Sequence, residues 1–129
     1  MKPPSSSTAL VSELQALREK VVGITDSIIS TADGLLVASD SDSGEQESLA
    51  ALCAASMALG SRTAAHLGLG GLRESVVRAA GGHVVFAAVG DHTLLAVVGD
   101  QGLDLVSLRR ELPGAVDVLG KLLAGSAAG

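Results

Sequence analysis

Residues 74–100 read ESVVRAAGGHVVFAAVGDHTLLAVVGD, and this stretch decides the fold. It contains three valine-rich runs, ESVVRAA, HVVFAAV and TLLAVVG, separated only by Gly81-Gly82 and Asp91-His92. β-Branched residues favour pleated backbone, and connections this short can join only antiparallel neighbours. Residues 84–89 and 94–98 are unbroken apolar runs, the pattern of strands covered on both faces. A sheet in this chain therefore needs helices above and below it.

The flanking sequence supplies them. Residues 8–22 place Leu10, Leu14, Leu17 and Val21 at helical spacing, with Glu13, Arg18, Glu19 and Lys20 on the wet side. SIISTADGLLVAS follows, two short β-rich runs joined at Asp33-Gly34, where glycine supplies the positive φ of a tight turn. Residues 45–67 form a long alanine-rich helix stopped by Gly68, Gly70 and Gly71. Residues 103–123 close the chain as a helix with Leu105, Leu108, Leu112, Val116, Leu119 and Leu123 on its apolar face. The expected order is α-β-β-α-β-β-β-α, an α+β fold with three layers, α/β/α.

Composition narrows the function. Hydrophobic residues make up 47% of the 129, and the 16 glycines raise the apolar share to roughly 59%, above the usual roughly 45–50%. Three helices on five strands cannot hide so much apolar surface, which points to self-association. A net charge of -5 and 1% aromatic residues argue against nucleic acid, which needs basic stripes and stacking platforms. Arg62 and His66 interrupt the long helix, so no run reaches the length of a membrane span. MKPPSSS lacks the apolar core of an export signal, and with a single cysteine the expected location is the cytoplasm. Residues 1–8 and 125–129 read as disordered tails around one domain, 9–124, and residues 40–44 as a mobile acidic loop.

Catalytic or metal-binding patterns are not visible. Cys53 has nothing cationic at helical spacing to activate it and reads as a small buried hydrophobe. His66, His83 and His92 lack the spacing of metal ligands. Asp40, Asp42, Glu45 and Glu47 lack the central glycine and distal glutamate of a calcium loop, and instead place negative charge near a helix N-terminus. Gly68-Leu69-Gly70-Gly71 runs from helix to strand, the reverse of a phosphate-binding loop. Arg62, Arg73, Arg78, Arg109 and Arg110 read as solubilising charge. No cofactor is expected, and the residues give no support to an enzyme.

The long helix carries the surface of interest. Ala54, Ala55, Ser56, Ala58, Gly60, Ser61, Ala64 and Ala65 put small side chains all around it, so another helix can approach its backbone. The same alanines also simply favour helix, and both readings stand at this point. Leu49, Leu52, Leu59 and Leu67 are the expected anchors on the sheet.

Taken together, the chain resembles the Roadblock domain, the dynein light chain family whose bacterial members work beside Ras-like GTPases. The resemblance covers residues 10–123. It rests on the order of elements, the hairpin with ADGLLVAS, the helix ending LGLGGLRESVVR, and GDHTLLAVVG before a terminal helix. The resemblance implies a five-stranded antiparallel sheet of order 2-1-5-4-3, with the long helix on one face and the terminal helices on the other. It also implies a homodimer in which the strand within residues 72–80 pairs with its copy and the long helices lie side by side. Leu72, Glu74, Val76, Arg78, Ser56 and Gly60 are the expected dimer contacts.

The function implied is a non-enzymatic regulator or scaffold of a small Ras-like GTPase, in some relatives together with a histidine-kinase-like sensor. Glu47, Ser48, Ala51, Ala55, Ala58 and Arg62 recur at spacings of three, four and seven, so they share one flank of the long helix and are the candidate GTPase contacts. The alternatives are a small-molecule sensor, which would keep a cavity with convergent polar groups, and a subunit of a motor or filament.

Overall fold

The computed structural model describes residues 5–41 and 43–128. The outermost parts of the expected tails, residues 1–4 and Gly129, and Asp42 of the expected acidic loop lie outside the described residues. The element order is α1 (Ser5–Lys20), β1 (Ile24–Thr31), β2 (Leu36–Ser41), α2 (Gln46–His66), β3 (Glu74–Ala79), β4 (Gly82–Val89), β5 (Thr93–Asp100) and α3 (Leu105–Ala128). The strands form one antiparallel sheet in the order β2-β1-β5-β4-β3, as the sequence and the resemblance predict. Both end helices reach further than the periodicity suggests, covering parts of stretches 1–8 and 125–129.

Two cores sandwich the sheet. On one side Leu10, Leu14 and Leu17 of α1, Val21 just after it, and Leu108, Leu112 and Leu119 of α3 pack on Ile29, Val85, Leu95 and Val97. On the other, Ala50, Cys53 and Met57 of α2 pack on Ile28, Phe86, Leu94 and Ala96. Alternate residues of β1, β4 and β5 thus feed opposite cores, which is why these strands lack the polar alternation of a half-wet sheet.

The connections follow from local chemistry. The β1–β2 turn runs over residues 32–35, with Gly34 at φ 95 and its N–H donated to the Thr31 carbonyl at 3.0 Å. Gly34 lies so close to α2 that a Cβ there would sit 3.4 Å from the Ala51 Cα. Gly23, at φ 97 between α1 and β1, packs tighter still, since a Cβ would meet the Leu103 Cα at 2.5 Å. The β3–β4 connection is Ala80-Gly81 and the β4–β5 connection Gly90 to His92, each one residue from the expected place. α3 starts at Leu105 rather than at 103 because Asp104 caps it. The Asp104 carboxylate accepts the Ser107 N–H at 3.1 Å and the Ser107 hydroxyl at 2.7 Å, and these bonds hold its pKa below the ordinary carboxylate value.

Candidate protein-interaction surface

α2 lies on the sheet through a narrow stripe, Ala50, Cys53, Met57 and Ala64. This corrects the expectation that its leucines anchor the sheet. Leu52, Leu59 and Leu67 are 61%, 68% and 62% exposed, and only Leu49 is partly buried against the core. The stripe of alanine, cysteine and methionine lets the helix approach the sheet closely, and it turns the large apolar side chains outward. Leucine was a poor guide because a helix apolar on every side gives no period from which to choose the buried face.

The exposed residues of α2 fall on distinct flanks. Leu52, Ser56, Leu59 and Thr63 recur at spacings of four and three, so they line one side. Beside them a cleft of about 460 Å³ is lined by Ser56, Leu59, Gly60, Leu72 and Ser75. Beyond α2 on this face the row Val77, Val84 and Val98 crosses three paired strands. Val77 is 44% exposed and its two neighbours are half-buried, so the helix covers the row only in part. A continuous apolar strip beside an edge strand of the sheet is the kind of surface on which association is favourable.

The expected dimer contacts divide between the two faces of the sheet. Ser56, Gly60 and Leu72 belong to the α2 face, where a Cβ at Gly60 would overlap the Leu72 side chain at 2.6 Å. Gly60 therefore serves packing within the chain as well. Val76 points to the other face and packs against the α1–α3 core, and Glu74, two residues away, holds Arg109 of α3 at 2.7 Å. Arg78 shares that face by strand alternation. What the six have in common is β3 and its surroundings, at the open edge of the sheet.

The candidate GTPase contacts Glu47, Ser48, Ala51, Ala55, Ala58 and Arg62 are all exposed along the outer side of α2. Sequence reasoning missed the flank beyond them. Ala54, Ala58 and Ser61 overlook a second cavity, of about 360 Å³, against the β4–β5 turn. Leu35, Leu36 and Val37 of the β1–β2 hairpin also stay exposed at 65%, 37% and 39%. The hairpin itself was legible in ADGLLVAS, but its spacing does not say which of these residues stay exposed. A bulge between Ile29 and Ser30 and the edge position of β2 keep them outside.

Among the described residues the titratable groups form no reactive constellation. Burial pushes the Cys53 thiol up to about 11, so almost no thiolate exists at neutral pH. Among the same residues no group of three His, Cys, Asp or Glu side chains converges as a metal site would require. Nor is any described helix long and apolar enough to cross a membrane.

The fold is thus an open-edged five-stranded sheet covered by helices on both faces, with one helix apolar and small on its outer sides. The sequence matches the Roadblock/LC7 domain over residues 10–99, and the chain belongs to that family. Solved structures share the fold. The gliding protein MglB of Thermus thermophilus gives TM-score 0.84 and 18% identity, over 93% of this chain and 92% of that one. MglB of Myxococcus xanthus gives TM-score 0.86 and 20% identity, covering 98% and 95%. A Roadblock/LC7 domain from Streptomyces avermitilis gives TM-score 0.78 and 22% identity, covering 96% and 99%. A comparison with curated protein sequences gives no match.

Proposed function

We propose that this protein is a non-enzymatic, homodimeric regulator or scaffold of a small Ras-like GTPase, acting in the cytoplasm. The observation that carries the proposal is α2 itself, a 21-residue helix attached to the sheet by one stripe, with leucines on one flank and small residues with rim charges on the outer side. Two neighbouring apolar surfaces on one helix suit two partners. The leucine flank continues into the open β3 edge, so it suits a second copy: strand pairing satisfies the edge backbone while the leucines are covered. The outer side, with Ala51, Ala55 and Ala58 between Glu47 and Arg62, lets a partner approach the backbone closely with charges at the rim.

The partner class comes from family membership, since bacterial Roadblock proteins work beside Ras-like GTPases, and it agrees with the fold shared with MglB. In this reading the chain contributes shape rather than chemistry, and two copies of α2 side by side present a larger surface than one. The test is recovery of the tagged protein from its source cells, once with GDP and once with a non-hydrolysable GTP analogue. A small GTPase retained preferentially in one nucleotide state supports the proposal, and its absence in both contradicts it.

A further inference from the structure

A groove of about 310 Å³ lies beside the first turns of α2. Val84 and Val98 form its floor and Leu49 and Leu52 its wall, and among the described residues that line it both charged side chains, Asp26 and Glu45, are acidic. The floor belongs to the row that ends at Val77 on β3, so the groove is reached from the open edge of the sheet.

The two ends of α2 are opposite in charge. Glu45 and Glu47 stand at its start, whereas residues 48–73 hold Arg62, His66 and Arg73 and no carboxylate. Such a helix is complementary to its own copy when the copy runs antiparallel, because each basic end then meets an acidic one. The sheet imposes the same orientation. A two-fold axis that joins β3 to its copy while keeping both α2 helices on one face stands perpendicular to the sheet and reverses the helix. The axis also fixes which residues meet. Leu59 and Gly60 line the cleft at the β3 edge together with Leu72 and Ser75, so α2 passes the axis there. Leu52 stands seven residues before Leu59 and Leu67 seven after Gly60, so the symmetry brings Leu67 of one copy to Leu52 of the other. Leu67 keeps the leucine flank: it is four residues past Thr63, and its N–H donates to the Thr63 carbonyl at 3.2 Å. In the single chain it is 62% exposed.

Resting on the homodimer proposed above, we infer that Leu67 of each copy fills the groove of the other, packing on Val84 and Val98 beside Leu52, with the cationic end of its helix set against Asp26 and Glu45. The groove is completed only by the second copy. Leu67 thereby sets the register in which the two α2 helices lie, and with it the shape of the outer surface they present together.

Cross-linking tests the register. Leu52→Cys, Leu67→Cys and the double variant are made in a Cys53→Ala background and treated with a short bis-maleimide at concentrations where light scattering shows dimer. Positions 52 and 67 of one chain are about 22 Å apart along the helix, beyond the reach of the reagent, so the double variant cannot be consumed by a link within one chain. The expected result is a covalent dimer from the double variant and none from either single variant. A covalent dimer from a single variant, or none from the double variant, overturns the inference. In sedimentation equilibrium Leu67→Ala is expected to raise the dimer Kd roughly a hundredfold, since the apolar filling of both grooves is lost, and Glu45→Lys to raise it several-fold. An unchanged Kd in either variant overturns the inference as well. If the wild type is monomeric at micromolar concentration, the homodimer reading fails and the inference with it. If the wild type is a dimer that binds the GTPase and the cross-links do not follow the antiparallel register, the inference fails alone.

Discussion

Replacing Leu52 and Leu59 together with alanine should separate association from folding. Both side chains are exposed in the single chain, at 61% and 68%, so they add little to the stability of the monomer. Their removal should cost it under about 0.5 kcal/mol. At an interface the situation reverses. Leucine to alanine removes three carbon groups, each worth about 0.8 kcal/mol when taken fully out of water. With roughly two-thirds of each side chain still available for a partner to cover, each position contributes about 1.5 kcal/mol to association. A two-fold interface counts every residue twice, so the double variant should lose about 6 kcal/mol, roughly four orders of magnitude in Kd. Sedimentation equilibrium over a dilution series measures this directly, with urea unfolding as the control for the monomer. A wild-type protein that sediments as a monomer at micromolar concentration would refute the reasoning, and so would a double variant as dimeric as wild type. Met57→Ala is the converse: Met57 is 5% exposed under α2, so the loss of about 2–5 kcal/mol should appear in folding stability.

Val77→Lys places a charge on the open edge of β3 and should yield monomer with a normal circular dichroism spectrum, because Val77 is 44% exposed and its loss leaves both cores intact. Cys53→Ala should cost on the order of 1 kcal/mol in packing, and the native thiol should react with a disulfide reagent only on unfolding. Because burial raises that thiol from 9.0 to about 11, the unfolded chain ionises first, and stability should fall as pH rises from 9 towards 11. Cys53→Ala should remove that part of the alkaline decline, seen in thermal melts at successive pH values. Gly23→Ala should cost about 3 kcal/mol or leave the protein insoluble, since it strains a φ of 97 and drives a Cβ into the Leu103 backbone. A soluble variant with unchanged urea midpoint would contradict that account.

The sheet was legible because valine runs joined by two or three residues permit little else, and because Leu10, Leu14, Leu17 and Leu108, Leu112, Leu119 mark their helices with single apolar stripes. The ends of helices were less so: Asp104 capping and the passage of α3 through Pro113 depend on geometry that hydrophobic spacing does not encode. α2 was read correctly as a helix but incorrectly as to its face. Its sheet-facing residues are small because the helix sits close to the strands, and that closeness is a tertiary fact. The outer flank of Ala51, Ala55 and Ala58 could be found from spacing alone, since residues three and four apart share a side wherever the helix packs. The cavity against Asp91 could not, because it joins residues from α2 and from a turn about thirty positions away in the sequence.

The proposed docking site for a small Ras-like GTPase is the outer side of α2, presented by a dimer. The measurement that tests it most directly is calorimetric titration of the purified GTPase, loaded in turn with GDP and with a GTP analogue, into wild type, Ala55→Arg and Arg109→Ala. Ala55 is exposed and outside both cores, so arginine there blocks close approach without unfolding the chain. Arg109 lies on α3 at the opposite face, in an exposed ion pair of small worth. The expected result is nucleotide-dependent binding by wild type and Arg109→Ala, and none by Ala55→Arg, with all three dimeric. Equal binding by Ala55→Arg, or loss of binding in Arg109→Ala, would contradict the account and move the docking site to the other face of the sheet.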